Sequence, residues 1–212
     1  MSDLMKVGAD WGMVGSFKPL TATTSGAQRV SDAHARYLDA VLSGRVFYMS
    51  VSAGAPTAYV GAAAGTPLIG IHNPTSSGKY MIPLFAMVSP RVAASAAGTV
   101  SMGIWGGPSV LPTGTVTNPR NAASTQASGS SMVGFSNTAL TGSTALTQLG
   151  TLFTYYWATA AGAFAAPTTY DLAGFGAVIP GNEFCIGASS ALTSATWDVS
   201  VYWEEVPYLV SI

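Results

Sequence analysis

The chain has 212 residues, enough for one all-β domain or a domain with an arm, and enough to bury a sizeable core. Only 8% of the residues are charged, against about 25% in an ordinary soluble protein, while 49% are apolar and 10% aromatic. These numbers exclude a disordered chain, which would be charged and poor in aromatics, and the formal net charge of −1 leaves no electrostatic footprint for nucleic acid.

Nine of the 17 formal charges lie in residues 1–45, and between Val46 and Tyr170 the only charged residues are Lys79, Arg91 and Arg120. A charged N-terminal section therefore precedes a nearly uncharged body. The start, MSDLMKVGAD, has no basic region followed by an apolar run, so no secretory signal is expected. Residues 1–30 show no clear period and read as an extended arm. Trp11 and Phe17 in it are either loosely solvated or anchors for a partner's pocket, and Arg29 near its end joins them as an interface candidate. The stretch SDAHARYLDAVLSGRVF then predicts a helix over about 31–43. Ser31 or Asp32 caps it, Ala33, Tyr37, Ala40 and Val41 share one face, and Ser43-Gly44 ends it. Tyr37 is a further interface candidate.

From Arg45 onward the punctuation is that of strands. RVFYMSV, TPLIGI, KYMIPLFAMVS, GTVSMGIWG and SVLPTGTVT follow one another between Gly and Pro turns. A Ser/Ala/Gly/Asn-rich loop over about 118–131 leads to SMVGFS, QLGTLFTYYW, GAVIPGNEFCIGAS and SATWDVSVYWEEVPY. In the last of these, Trp197, Val199, Val201 and Trp203 alternate with Asp198, Ser200, Tyr202 and Glu204, the pattern of a half-buried antiparallel strand with two core tryptophans. With no helical patterns between the strands, the fold class is an all-β antiparallel sandwich or barrel, one domain over 31–212. The longest strongly apolar run, around Tyr80 to Val88, is about nine residues and contains Pro83, whereas a spanning helix needs roughly twenty. No membrane partner is expected.

Candidate chemistry is sparse. Ser77-Gly78-Lys79 in IHNPTSSGKYMIPL looks like the end of a phosphate loop. However, Asn73 stands where the first Gly belongs, Tyr80 follows the Lys, and Pro83 would break the helix that must come next, so the segment reads as a turn. His34 and His72 make no metal-ligand spacing, and Cys185, in the apolar run FCIG, reads as a small buried hydrophobe without a disulfide partner. A Cys–His nucleophile is the minor reading. Glu204 and Glu205 are strand neighbours and point to opposite faces, while nothing in the spacing of Asp171, Glu183 and Asp198 brings them together. Lys79, Arg91 and Arg120 read as solubilising loop tips, or, more sharply, as partners for carboxylates of another protein. Tyr155, Tyr156 and Trp157 read as core or interface packing, with sugar stacking as the rival. No catalytic residue, metal or cofactor is expected.

Three stretches together resemble small jelly-roll phage virion structural proteins: ARYLDAVLSGRVF, IHNPTSSGKYMIPL and WDVSVYWEEVP, over residues 33–88 and 195–207. The resemblance implies a jelly-roll sandwich that sits on or in a virus particle, often as a trimer. It also implies partners among its own copies and the major capsid protein or other virion proteins. Within that group the expected role is a capsid cement or decoration protein. A tail- or fibre-associated receptor- or glycan-binding head is the alternative.

Overall fold

A computed structural model of the chain describes residues 21–22, 28–29, 37–54, 67–92, 98–108, 116–124, 129–136, 146–157, 167–173, 176–188 and 196–207. The chain divides into two units, Met1–Leu38 and Asp39–Ile212. In the first, β1 (Thr21–Ala22) pairs antiparallel with β2 (Gln28–Arg29).

The second unit begins in α1 (Leu38–Leu42), the helix expected around this point; residues 31–36, with its predicted cap and Ala33, lie outside the described residues. Its end is as the sequence signals. Gly44 takes φ 72°, its N–H donates to Val41 O at 2.9 Å, and the Arg45 N–H donates to Ala40 O at 2.9 Å. These two bonds are the Schellman pattern, which satisfies the last carbonyls and turns the chain into the first long strand.

The remaining elements are strands: β3 (Val46–Gly54), β4 (Ile69–Asn73), β5 (Lys79–Val92), β6 (Gly98–Pro108), β7 (Val116–Thr117), β8 (Arg120–Asn121), β9 (Val133–Phe135), β10 (Thr147–Trp157), β11 (Thr168–Asp171), β12 (Asn182–Ala188) and β13 (Thr196–Pro207). They form two antiparallel sheets packed as a β-sandwich. One has the order β10-β6-β12-β4-β9-β7, the other β11-β5-β13-β3-β8. Among the eight principal strands the pairing is nested. β3 pairs with β13, β4 with β12, β5 with β11, and β6 with β10.

The segment IHNPTSSGKY is a turn, but it joins no hairpin. It carries the chain from β4 in the six-stranded sheet to β5 in the five-stranded one. The buried Asn73 holds it: its Nδ2 donates to Lys79 O and Val178 O, each at 2.8 Å, and its Oδ1 accepts from Ser77 Oγ at 2.5 Å. Strand β11 and the short β8 were not legible in the sequence; TTYD is brief, and Arg120–Asn121 sits within the stretch read as loop.

The core fills the space between the sheets. Trp197, Val199, Val201 and Trp203 of β13 meet Ile69, Ile71, Ile104, Phe184 and Ile186 of the opposite sheet. Trp203 is fully buried and stacks on Phe47, with ring centroids 6.3 Å apart. Strand β5 carries Pro83 and Pro90, which cannot donate to the ladder. Both register breaks between β5 and β13 fall at these prolines, and β11 pairs with β5 only over Phe85–Val88, between them. The bulges thus accommodate the missing N–H groups.

Candidate functional site

Three places gather polar or aromatic groups. The first is a cleft of about 580 Å³ at one end of the sandwich, lined among others by Arg45, Lys79, Asn121 and Glu205. Alternation along β13 puts Glu205 in phase with Trp203, on the core side, and its carboxylate is buried. Oε2 accepts from Lys79 Nζ at 2.9 Å and from the Ser131 N–H at 3.1 Å; Oε1 accepts from Ser130 Oγ at 2.6 Å. A buried carboxylate needs this many donors to offset its desolvation. The contacts tie β13 and β5 of one sheet to the segment leading into β9 of the other. Glu204 points outward, as expected, and pairs with Arg45 at 3.0 Å. The cations of the cleft are thus matched by the two neighbouring carboxylates, and the arrangement clamps strands together.

These contacts correct the reading of Lys79 as a loop-tip solubiliser. Lys79 opens β5 and serves a buried carboxylate of its own chain, and Arg91 lies 3.5 Å from Asp198. The signal available in the sequence was phase: a Glu in register with two tryptophans must find a cation.

The second place is the outer face of the six-stranded sheet. Glu183 stands opposite His72 in the β12–β4 register, and Cys185 opposite Gly70. All three side chains are buried, and the Cys185 thiol donates to the Glu183 carboxylate. Around Cys185 a second cluster forms from Trp105, Phe135 and Leu146. Phe135 lies so close over Gly70 that a methyl group there would fall inside its ring. Burial pushes the Cys185 thiol well above its ordinary value, with the Glu183 charge adding to the effect, and burial pushes His72 down. A nucleophilic thiol needs the opposite shift, toward a thiolate beside a charged imidazole. The strand pairing places Cys185 and His72 on one face, where burial favours the protonated thiol and the neutral imidazole.

The third place is the outer face of the five-stranded sheet. Tyr48 of β3, Tyr202 of β13 and Phe85 of β5 stand side by side in register. Their rings are stacked, with centroids 5.2 Å apart for Tyr48–Tyr202 and 4.3 Å for Phe85–Tyr202. Arg120 lies opposite Tyr48 on one flank and Asp171 opposite Phe85 on the other. In the next row Ser50 and Ser200 share a hydroxyl hydrogen bond of 2.8 Å, beside the exposed Met87.

Of the interface candidates, Trp11 and Phe17 lie outside the described residues, as does His34. Arg29 is in β2, and Tyr37 is half-buried just ahead of α1. Tyr155, Tyr156 and Trp157 end β10, paired with Val100, Thr99 and Gly98. Tyr155–Trp157 apart, no two of the described candidates lie on paired strands. Nor do the acids converge: Glu183 belongs to the six-stranded sheet, while Asp171 and Asp198 lie on strands separated by β5. Among the described residues no group of three or more His, Cys, Asp or Glu side chains could hold a metal ion, and no helix is long and apolar enough to cross a membrane.

Comparison of the chain with protein-family models, with curated proteins and with solved structures gave no match.

Proposed function

We propose that the chain is a structural protein of a virus particle, a jelly-roll sandwich that binds a capsid lattice as a cement or decoration protein. The observation that carries this reading is the nested pairing: first principal strand with last, second with seventh, third with sixth, fourth with fifth. A long antiparallel ribbon wound into two sheets gives such nesting, which supports the jelly-roll reading, an architecture of viral capsid and lectin domains. Fold alone does not set function. The second support is therefore the surface. The body carries few charges, and Arg45, Lys79 and Arg91 are matched by Glu204, Glu205 and Asp198 within the chain. Such a surface solvates poorly and gains from being covered by neighbours repeated over a lattice.

The partners in this reading are other copies, as a homo-oligomer such as a trimer, and the shell protein. Binding to purified empty shells, followed by sedimentation and by shell melting, tests it. Saturable binding that raises the shell's melting temperature is expected; a protein that stays in the supernatant at all concentrations overturns it. The glycan-binding alternative rests on Tyr155, Tyr156 and Trp157, whose strand β10 is described but whose side chains are not, and the described aromatic row does not add to it. In the Tyr48–Tyr202–Phe85 row the central Tyr202 spends both ring faces on its neighbours, and stacking on a sugar needs an open face.

A further inference from the structure

We infer that the outer face of the five-stranded sheet is a two-fold contact with a second copy of this chain, in which Arg120 of each protomer meets Asp171 of the other. The inference rests on register and charge, not on the virion reading.

One cross-strand row runs the full width of the sheet: Arg120, Tyr48, Tyr202, Phe85, Asp171. Directly opposed residues share a face, and Trp203 and Val201 on either side of Tyr202 are buried in the core, so this row faces outward. Its two ends are exposed and opposite in charge; its middle is half-buried aromatic. With a strand spacing of about 4.8 Å, the ends are roughly 19 Å apart, too far to pair with each other. Two in-plane two-fold axes lay this row onto itself in a second copy. The axis across the strands puts Arg120 on Arg120 and Asp171 on Asp171. The axis along β13 puts Arg120 on the partner's Asp171, twice, and Tyr202 on the partner's Tyr202. Charge selects the second, because like charges brought together cost several kcal/mol at an interface.

The rest of the face fits the same operation. It lays the exposed Met87 over the partner's Ser50. A hollow of about 410 Å³ lies there, lined by Tyr48, Ser50, Thr117, Asn118 and Arg120 among others. Along β13 the patch is closed at either end by ion pairs, Arg45–Glu204 and Arg91–Asp198. Tyr, Phe and Met in the middle with charges at the rim is the anatomy of a protein interface. The patch measures roughly 19 by 20 Å, about 400 Å² per protomer, against about 800 Å² for a standard stable interface. The contact is therefore reversible and depends on concentration.

The test is a charge swap read by light scattering over a concentration series, with circular dichroism on each variant. Wild type is expected to double its mass reversibly as concentration rises. Arg120→Asp and Asp171→Arg are each expected to weaken this step by about tenfold or more, since each creates the repulsive pair twice. The double variant is expected to restore it. Restoration separates the contact from local damage, because the Asp171 carboxylate also accepts the Ala173 N–H at 3.0 Å, and misfolding there would not be rescued by Arg120→Asp. The contact is overturned if the mass of wild type does not rise, if both single variants associate like wild type, or if the double variant stays dissociated. Shell binding without this association would overturn the contact and leave the virion reading standing; association without shell binding would do the reverse.

Discussion

The outer faces of the two sheets are built from similar strands and end in opposite states. On the six-stranded sheet, Trp105, Phe135, Leu146 and Cys185 are buried together with His72 and Glu183, so β4 is buried at every position. On the five-stranded sheet, β13 alternates strictly between buried and half-exposed residues, and its outer row of Tyr and Ser stays within reach of solvent. The sandwich therefore has a second core layer on one side and an amphipathic skin on the other. Burial on the first layer must come with small residues beneath large ones, as with Phe135 over Gly70, while the skin tolerates hydroxyls and ring edges.

Truncating a ring in each layer breaks the comparison most sharply. Trp105→Ala removes a large side chain from a closed cluster and is expected to destabilise the fold by about 3–5 kcal/mol, measured by chemical denaturation. A loss under about 1 kcal/mol would mean that the outer layer is loose surface. Next in size is Lys79→Ala, which leaves the Glu205 carboxylate with only the Ser130 and Ser131 donors. Removing one partner of a buried pair costs about 3–5 kcal/mol, and the partial hydration of Lys79 brings the expected value to about 2 kcal/mol. Replacing Glu205 as well should cost less than the sum of the two single changes, because the pair shares one interaction.

The buried layer also carries a pH signature that the skin lacks. Burial lowers the His72 pKa below 6.5, so the unfolded chain takes up the proton first. The stability this neutral imidazole contributes is full above about pH 6.5 and is lost as pH falls through the folded value. Cys185 is raised well above 9.0, so its contribution is full below that pH and is lost as pH climbs and the unfolded thiol ionises. Each flank approaches at most about 1.4 kcal/mol per pH unit. His72→Gln should flatten the acid flank and Cys185→Ala the alkaline one; profiles unchanged by either would show that these groups titrate alike in both states. In the folded protein at neutral pH the thiol should resist alkylation and react after denaturation.

The same contrast explains what could be read in advance. WDVSVYWEE gave its facing residue by residue, because one side of β13 is wet and the alternation is written in polarity. The stop at Ser43-Gly44 and the turn nature of NPTSSGK were legible from local chemistry. IGIHN and NEFCIGA hid their facing, since both sides of β4 and β12 are buried and polarity no longer marks a side. The clamp on Glu205 was hidden for another reason: Lys79 and Glu205 are 126 residues apart, and only the β5–β13 register joins them. The sheet change at Pro74–Gly78 and the row from Arg120 to Asp171 are likewise products of long-range pairing, which local patterns do not record.

The smallest expected change in stability falls on the skin, where Tyr202→Ser removes the middle ring of the row. Cross-strand pairs are each worth about 0.2–1 kcal/mol, and Tyr202 has two such neighbours, so a loss of about 1 kcal/mol is expected in denaturation. Its effect on association should be out of proportion to that. The residue lies on the inferred two-fold axis and loses contact with its own counterpart, so the concentration needed for the mass to double should rise about tenfold. A variant that loses several kcal/mol of stability would place Tyr202 in a closed layer like that of Trp105. A variant that loses about 1 kcal/mol and still associates like wild type would make the row an internal brace. The two measurements on this one substitution therefore distinguish a skin that stiffens the sheet from a skin shaped to be covered.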